Sequence, residues 1–100
     1  MWNVIEEDSF QRSAAQLGGL QYVDAALAPI MNAVESNPLA FEEVPGMPDI
    51  RVARTKISVT GLEMIPALRL WLRTSEASRT VYLLYVELAP PEDMAIGDSL

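Results

Sequence analysis

The hydrophobic period of this chain changes once, near its middle, and the change divides it into a helical half and a strand half. Leu20, Val23, Leu27, Ile30, Met31 and Val34 recur at helical spacing and form one apolar stripe. Upstream, Asp8-Ser9 is placed to cap a shorter helix running to about Leu17, which Gly18-Gly19 ends. Trp2-Asn3-Val4-Ile5 reads as a short strand before it. Pro29 lies inside the apolar stripe. It removes a backbone donor, which predicts a kink there or the start of a second helical piece. Asn37-Pro38 stops the pattern.

Residues 41–47 form an irregular lead-in, and then the period becomes two. Residues 50–59 are β-branched and alternating, and a Thr60-Gly61 turn follows. Between residues 65 and 73 the alternation is strict, with Leu68, Leu70 and Leu72 on one face and Arg69, Trp71 and Arg73 on the other. Residues 75–78 read as a turn. Residues 80–88 are the strongest strand, with Tyr82, Leu84, Val86 and Leu88 on one face and Val81, Leu83, Tyr85 and Glu87 on the other. Ala89-Pro90-Pro91 ends it. The order predicts an α+β fold, an N-terminal strand and helical hairpin packed on an antiparallel three- to four-stranded sheet. One domain spans 1–89, and 90–100 is an acidic, loosely held tail. The Leu68/Leu70/Leu72 side is expected to pack on the helical stripe, each buried side chain contributing about 1.5–3 kcal/mol. The opposite face then displays Arg69, Trp71, Arg73, Leu83 and Tyr85, at once basic and apolar, a combination seldom left unused.

Composition narrows the chemistry. With 100 residues, half of them hydrophobic, the chain has the material for one domain with a real core. Charges interrupt every apolar stretch before a membrane span is reached, and the acidic opening is no secretory signal. A cytoplasmic protein is expected. Without cysteine or histidine, disulfides, thiolate or imidazole metal sites and the Ser-His-Asp and Cys-His catalytic sets are excluded. No phosphate-binding glycine loop or acidic metal motif is present, so no cofactor or metal is expected. Any catalysis falls to Arg, Lys, Tyr, Asp or Glu. The formal charge of −7 hides a segregation: six of the seven basic residues (Arg51, Arg54, Lys56, Arg69, Arg73 and Arg79) lie within residues 51–79, opposed there only by Glu63 and Glu76. That segment carries +4 and the remainder −11, which suggests one cationic face on an anionic body.

Gly46-Met47-Pro48-Asp49, the basic run over residues 51–56, and Leu68-Arg69-Leu70 opening the next strand resemble the RelE/ParE superfamily of bacterial type II toxins. The element order over roughly residues 2–89 is similar to that family's. The resemblance implies a toxin neutralised by a cognate antitoxin that winds an amphipathic segment around it. In the RelE branch it further implies mRNA cleavage at the ribosome by cations on the second and third strands, with an Arg and a Tyr near the C-terminus. Arg54 matches one strand cation, the other position is Val52 here, and Arg69 matches the Arg on the following strand. The C-terminal Arg and Tyr have no counterpart, since Ala89-Pro90-Pro91-Glu92-Asp93 stands in their place. One lost donor to transition-state charge costs about 3–4 kcal/mol, so efficient RelE-type cleavage is not expected. The ParE branch, which acts on gyrase without nuclease chemistry, lacks that set as well.

Three readings follow. In the first, Trp71, Leu83 and Tyr85 anchor an antitoxin while Arg69 and Arg73 pair with its acids or with target phosphates; the plainer account makes Trp71 and Tyr85 cross-strand neighbours shielding the sheet. In the second, a weak ribosome-dependent endoribonuclease places Arg54 and Arg69 on phosphate, with Tyr85 moving a proton. The plainer account of Arg51, Arg54 and Lys56 is a charged, solvated edge strand. In the third, the chain is a degenerate, non-toxic binding domain, or a homodimer through its apolar face.

Overall fold

The computed structural model describes residues 1–60 and 63–90. Gly61 of the expected turn and the tail beyond Pro90 lie outside the described residues. Strand β1 (Asn3–Glu6) leads into helices α1 (Asp8–Gln16) and α2 (Leu20–Ser36), a single 3-10 turn (Pro38–Ala40), and six further strands. These are β2 (Glu42–Val44), β3 (Met47–Arg54), β4 (Ser58–Thr60), β5 (Glu63–Ile65), β6 (Leu68–Ser75) and β7 (Thr80–Leu88). Five of them form one sheet in the order β1-β7-β6-β3-β2. The strands β2, β3, β6 and β7 pair antiparallel, and β1 joins β7 in parallel with Asn3 opposite Thr80. β4 and β5 form a separate hairpin. Among the described residues, no helix is long and apolar enough to cross a membrane.

The α+β class and the helical hairpin on one sheet face are as the periodicities imply. The sheet is wider than expected and mixed, for two reasons. The N-terminal strand completes it rather than standing apart. The expected irregular lead-in contains β2, which covers β3, so the basic strand is interior and not a solvated edge. Val44 and Met47 are paired across a two-residue loop of Pro45 and Gly46. Gly46 has φ +80°, the conformation a turn with proline at its first corner demands of its second.

The two helices meet at Gly18 and Gly19, whose φ values of +125° and +105° are open to glycine and rarely to other residues. Helix α2 runs unbroken through Pro29, so no second helical piece begins there. Its buried side is Val23, Ala26, Leu27 and Val34, with Ile30 and Met31 packed at the margin. Leu20, read as part of the stripe, is exposed at the helix start. These side chains close over Leu68, Leu70 and Leu72 of β6, Val81, Leu83 and Val86 of β7, and Phe10 and Ala14 of α1.

Strand β7 departs from simple alternation. Trp71 faces Tyr85, yet the next residue, Leu72, faces Leu83, so Leu84 is an extra residue with no partner. Such a bulge resets the phase of the strand. Leu83 and Val86 both point into the core, while Tyr82 before the bulge and Tyr85 and Glu87 after it lie on the other face. Helix α1 supports the irregularity. Ser9 Oγ donates to the Leu84 carbonyl at 2.5 Å, and Ser13 Oγ accepts from the Val86 N–H at 3.0 Å. These serines are one helical turn apart on one face, so Ser9 is a sheet clamp rather than the helix cap expected. Residue Glu7 is the N-cap, without a side-chain cap bond.

Candidate functional site

The face of the sheet turned away from the helices is built by alternation on β3 and β6 and by the bulge on β7. Register pairing sets Ile50 opposite Arg73, Val52 opposite Trp71 and Arg54 opposite Arg69; across the next ladder Trp71 faces Tyr85, Arg69 faces Glu87 and Arg73 faces Tyr82. Met47, Ile50, Trp71, Leu84, Tyr85 and Glu87 line a shallow, largely apolar groove of about 410 Å³. Met47 and Tyr85 are 51 % and 43 % exposed, so the groove is open to solvent. A smaller, polar depression of about 160 Å³ adjoins it, lined by Glu42, Val52, Arg54, Arg69 and Trp71 among others. Trp71 is common to both.

Every arginine on this face is engaged. Arg69 donates from Nε to Glu87 Oε2 at 2.9 Å and sets its Nη2 2.8 Å from the same oxygen, to which the indole Nε1 of Trp71 also donates at 2.8 Å. The Arg69 guanidinium carbon lies 5.3 Å from the centroid of the Trp71 ring. Partial burial acts to raise the Glu87 pKa, but the hydrogen bonds from Trp71 and Arg69, together with the Arg69 charge, outweigh it and hold the carboxyl below its ordinary value. Arg54 Nη1 is 2.8 Å from Glu42 Oε2. Arg73 stands over the Tyr82 ring, 4.0 Å from its centroid, and Arg73 Nη2 is 3.8 Å from Glu7 Oε1.

The expected residues sort as follows. Arg69, Trp71, Arg73 and Tyr85 share the outer face, and Arg54 joins them there. Arg54 and Arg69 are brought side by side, whereas Tyr85 lies in the apolar groove, beyond Trp71 from the depression that the two arginines line. Leu83 is corrected: it is 2 % exposed and belongs to the core, because the bulge at Leu84 reverses the phase that grouped it with Tyr85. The groove residues Ile50 and Leu84 were missed. Leu84 was invisible for the same reason, while Ile50 shares the parity of Arg54 and was legible.

The single cationic face expected from the charge segregation is not formed. Arg51 points to the helix side, where Nη1 donates to the carbonyls of Leu39 (3.0 Å) and Phe41 (2.8 Å) and straps the chain before β2 to β3. Arg79 lies at the hairpin end, its guanidinium carbon 5.0 Å from the centroid of the Trp2 ring. Glu42 and Glu87 reach the outer face from the strands flanking β3 and β6. Strand pairing thus interleaves charges that are separated along the chain.

No protein-family model matches this sequence, and no curated protein sequence matches it. Solved structures do. The isolated RelE toxin of Escherichia coli is 17 % identical, with a TM-score of 0.65 and full coverage of both chains. A chain of the intact E. coli RelBE toxin–antitoxin complex is 18 % identical over 90 % of this chain and 99 % of that one, with a TM-score of 0.64. A RelBE toxin–antitoxin complex from Mycobacterium tuberculosis gives 18 % identity, 88 % and 91 % coverage, and a TM-score of 0.63. This chain has a RelE-like fold.

Proposed function

We propose that this chain is the toxin-like component of a cytoplasmic type II toxin–antitoxin pair, and that its antitoxin lays an apolar segment along the groove on the outer sheet face. The observation that carries the reading is the open groove of Met47, Ile50, Trp71, Leu84 and Tyr85, on a fold similar to that of toxin chains solved in complex with antitoxins. Trp71 and Tyr85 are aromatic anchors of the type that dominates interface energetics, and Arg73 offers a partly exposed cation at their side. The apolar floor, with charged side chains at its margin, fits an amphipathic segment.

The experiment is binding of the purified chain to the small protein encoded beside it, with growth measured on induction of the chain alone. Trp71→Ala is expected to weaken that binding about 30-fold, the equivalent of about 2 kcal/mol, with circular dichroism showing a folded chain. Unchanged affinity in both Trp71→Ala and Tyr85→Ala would remove the groove as the contact.

A second reading, weak endoribonuclease action, is favoured by one observation: Arg54 and Arg69 face each other in register and line one depression. Tyr85 would have to transfer a proton from outside that depression. Growth arrest that survives Arg54→Ala and Arg69→Ala excludes this reading and points to a target such as gyrase. Absence of arrest points to a degenerate binding domain, or to a homodimer through the same face.

A further inference from the structure

Arg54 and Arg69 occupy facing positions on adjacent strands, a placement that like charges disfavour. Each is neutralised from its outer flank. Glu42 on β2 reaches Arg54, and Glu87 on β7 reaches Arg69, so four charged side chains run acid, base, base, acid across four strands. The two carboxylates differ in how they are held. The Glu42 side chain is 67 % exposed, and its contact with Arg54 is a surface pair that opens at little cost. The Glu87 side chain is 31 % exposed, and a single oxygen, Oε2, accepts hydrogen bonds from Nε of Arg69 and Nε1 of Trp71 and lies 2.8 Å from Nη2 of Arg69.

The position of that oxygen is informative. It lies on the Nε–Nη2 edge of the guanidinium, the edge that receives carboxylate and phosphate oxygens alike. Beside it is the depression lined by both arginines, and beyond Trp71 is the groove with Tyr85. Cations next to exposed aromatic rings make the general arrangement that holds a single strand, phosphates on the cations and bases on the rings. The cations and rings of such a site are present, and both cations carry acidic partners.

We propose that Glu87 is an internal stand-in for a phosphate: it fills the anion-binding edge of Arg69, with Trp71 pinning it there, and so keeps a single-strand nucleic-acid site closed. The inference rests on reading the outer face as the working surface of the protein. Opening the site means moving one carboxylate away from both Arg69 and Trp71. Until then the site offers a phosphodiester only the partly shielded Arg54.

The test uses fluorescence anisotropy of a fluorescein-labelled octauridylate with the purified full chain at low salt. Glu87→Gln is expected to bind at least about 10-fold more tightly than the parent, with a log–log salt slope steeper by about 0.7 for each additional phosphate neutralised. The tightening is expected to vanish in the Glu87→Gln/Arg69→Ala double variant. Trp71→Phe, which keeps a ring and removes only the indole donor, is expected to give a smaller effect in the same direction. Glu6→Gln removes the same charge from the edge strand β1 and is expected to give none. The idea is overturned if neither Glu87→Gln nor Trp71→Phe tightens binding while circular dichroism shows a folded chain. It is overturned equally if the tightening persists without Arg69, or if Glu6→Gln matches it. No antitoxin is present in this assay, so its outcome is separable from that of the antitoxin-binding experiment.

Discussion

At the scale of single residues, the outer face is governed by which carboxylate sits beside which guanidinium. Glu87 makes the sharpest case, because its depressed pKa ties the contact to pH. A carboxyl with a lower pKa in the folded than in the unfolded chain stabilises the fold above its unfolded value and loses that stabilisation as pH falls through the folded one. Glu87→Gln is therefore expected to be less stable than the parent by about 1 kcal/mol at neutral pH, with the difference shrinking below about pH 4. Urea midpoints of both proteins across that range check it, and a constant difference would mean that the carboxylate's charge is irrelevant to the contact. Arg51 shows the opposite case. Chain position groups it with Arg54, but its two carbonyl acceptors make it a tie between segments. A basic residue in a basic stretch is not thereby a surface cation; the parity of the strand decides which side of the sheet it serves.

At the scale of elements, the bulge in β7 determines what the face can present. Under plain alternation through Leu84, the strand would place Leu83 and Tyr85 on one face; with the bulge, the former is buried and the latter exposed. Leu83→Ala is expected to cost about 2–5 kcal/mol, and Tyr85→Ala within about 0.5 kcal/mol of zero, as measured by chemical denaturation. Similar losses for the two would contradict the phase change. Much of the fold was legible because it follows from period: the helical stripe, the strict alternation of β6 and the bounds of β7 need only one apolar face to be buried. The bulge was not legible. Residues 81–86 are apolar or aromatic throughout, so no polar position marks where the phase slips. Its support, Ser9 and Ser13 of α1, comes from some 70 residues away. Likewise β2 is three residues long and acidic, and pairing with β3 rather than intrinsic preference makes it a strand. The candidate site was half legible. Arg69, Trp71 and Arg73 follow from parity on one strand, but the engagement of each arginine by an acid depends on neighbouring strands that a one-dimensional charge map does not contain.

At the scale of the whole molecule, the sheet is closed by residues from opposite ends of the described chain. β1 lies in parallel beside β7, and the Asn3 N–H donates to the Arg79 carbonyl at 2.9 Å. Trp2 is 7 % exposed beneath the Arg79 guanidinium. Arg79 itself adopts φ +48°, a left-handed conformation that an L residue with a side chain enters at a cost of about 1–2 kcal/mol, offset by these contacts. This junction has a temporal meaning during synthesis. Asn3 is made some 77 residues before its partner Thr80, so translation must run past residue 88 before β1 can be laid beside β7. Ribosome-bound nascent chains halted with residues up to 79 outside the exit tunnel are expected to be digested by protease, and those exposing residues up to 90 to resist. An interrupted message would yield an unfolded fragment, and the cell would meet a folded molecule only when β7 had been delivered.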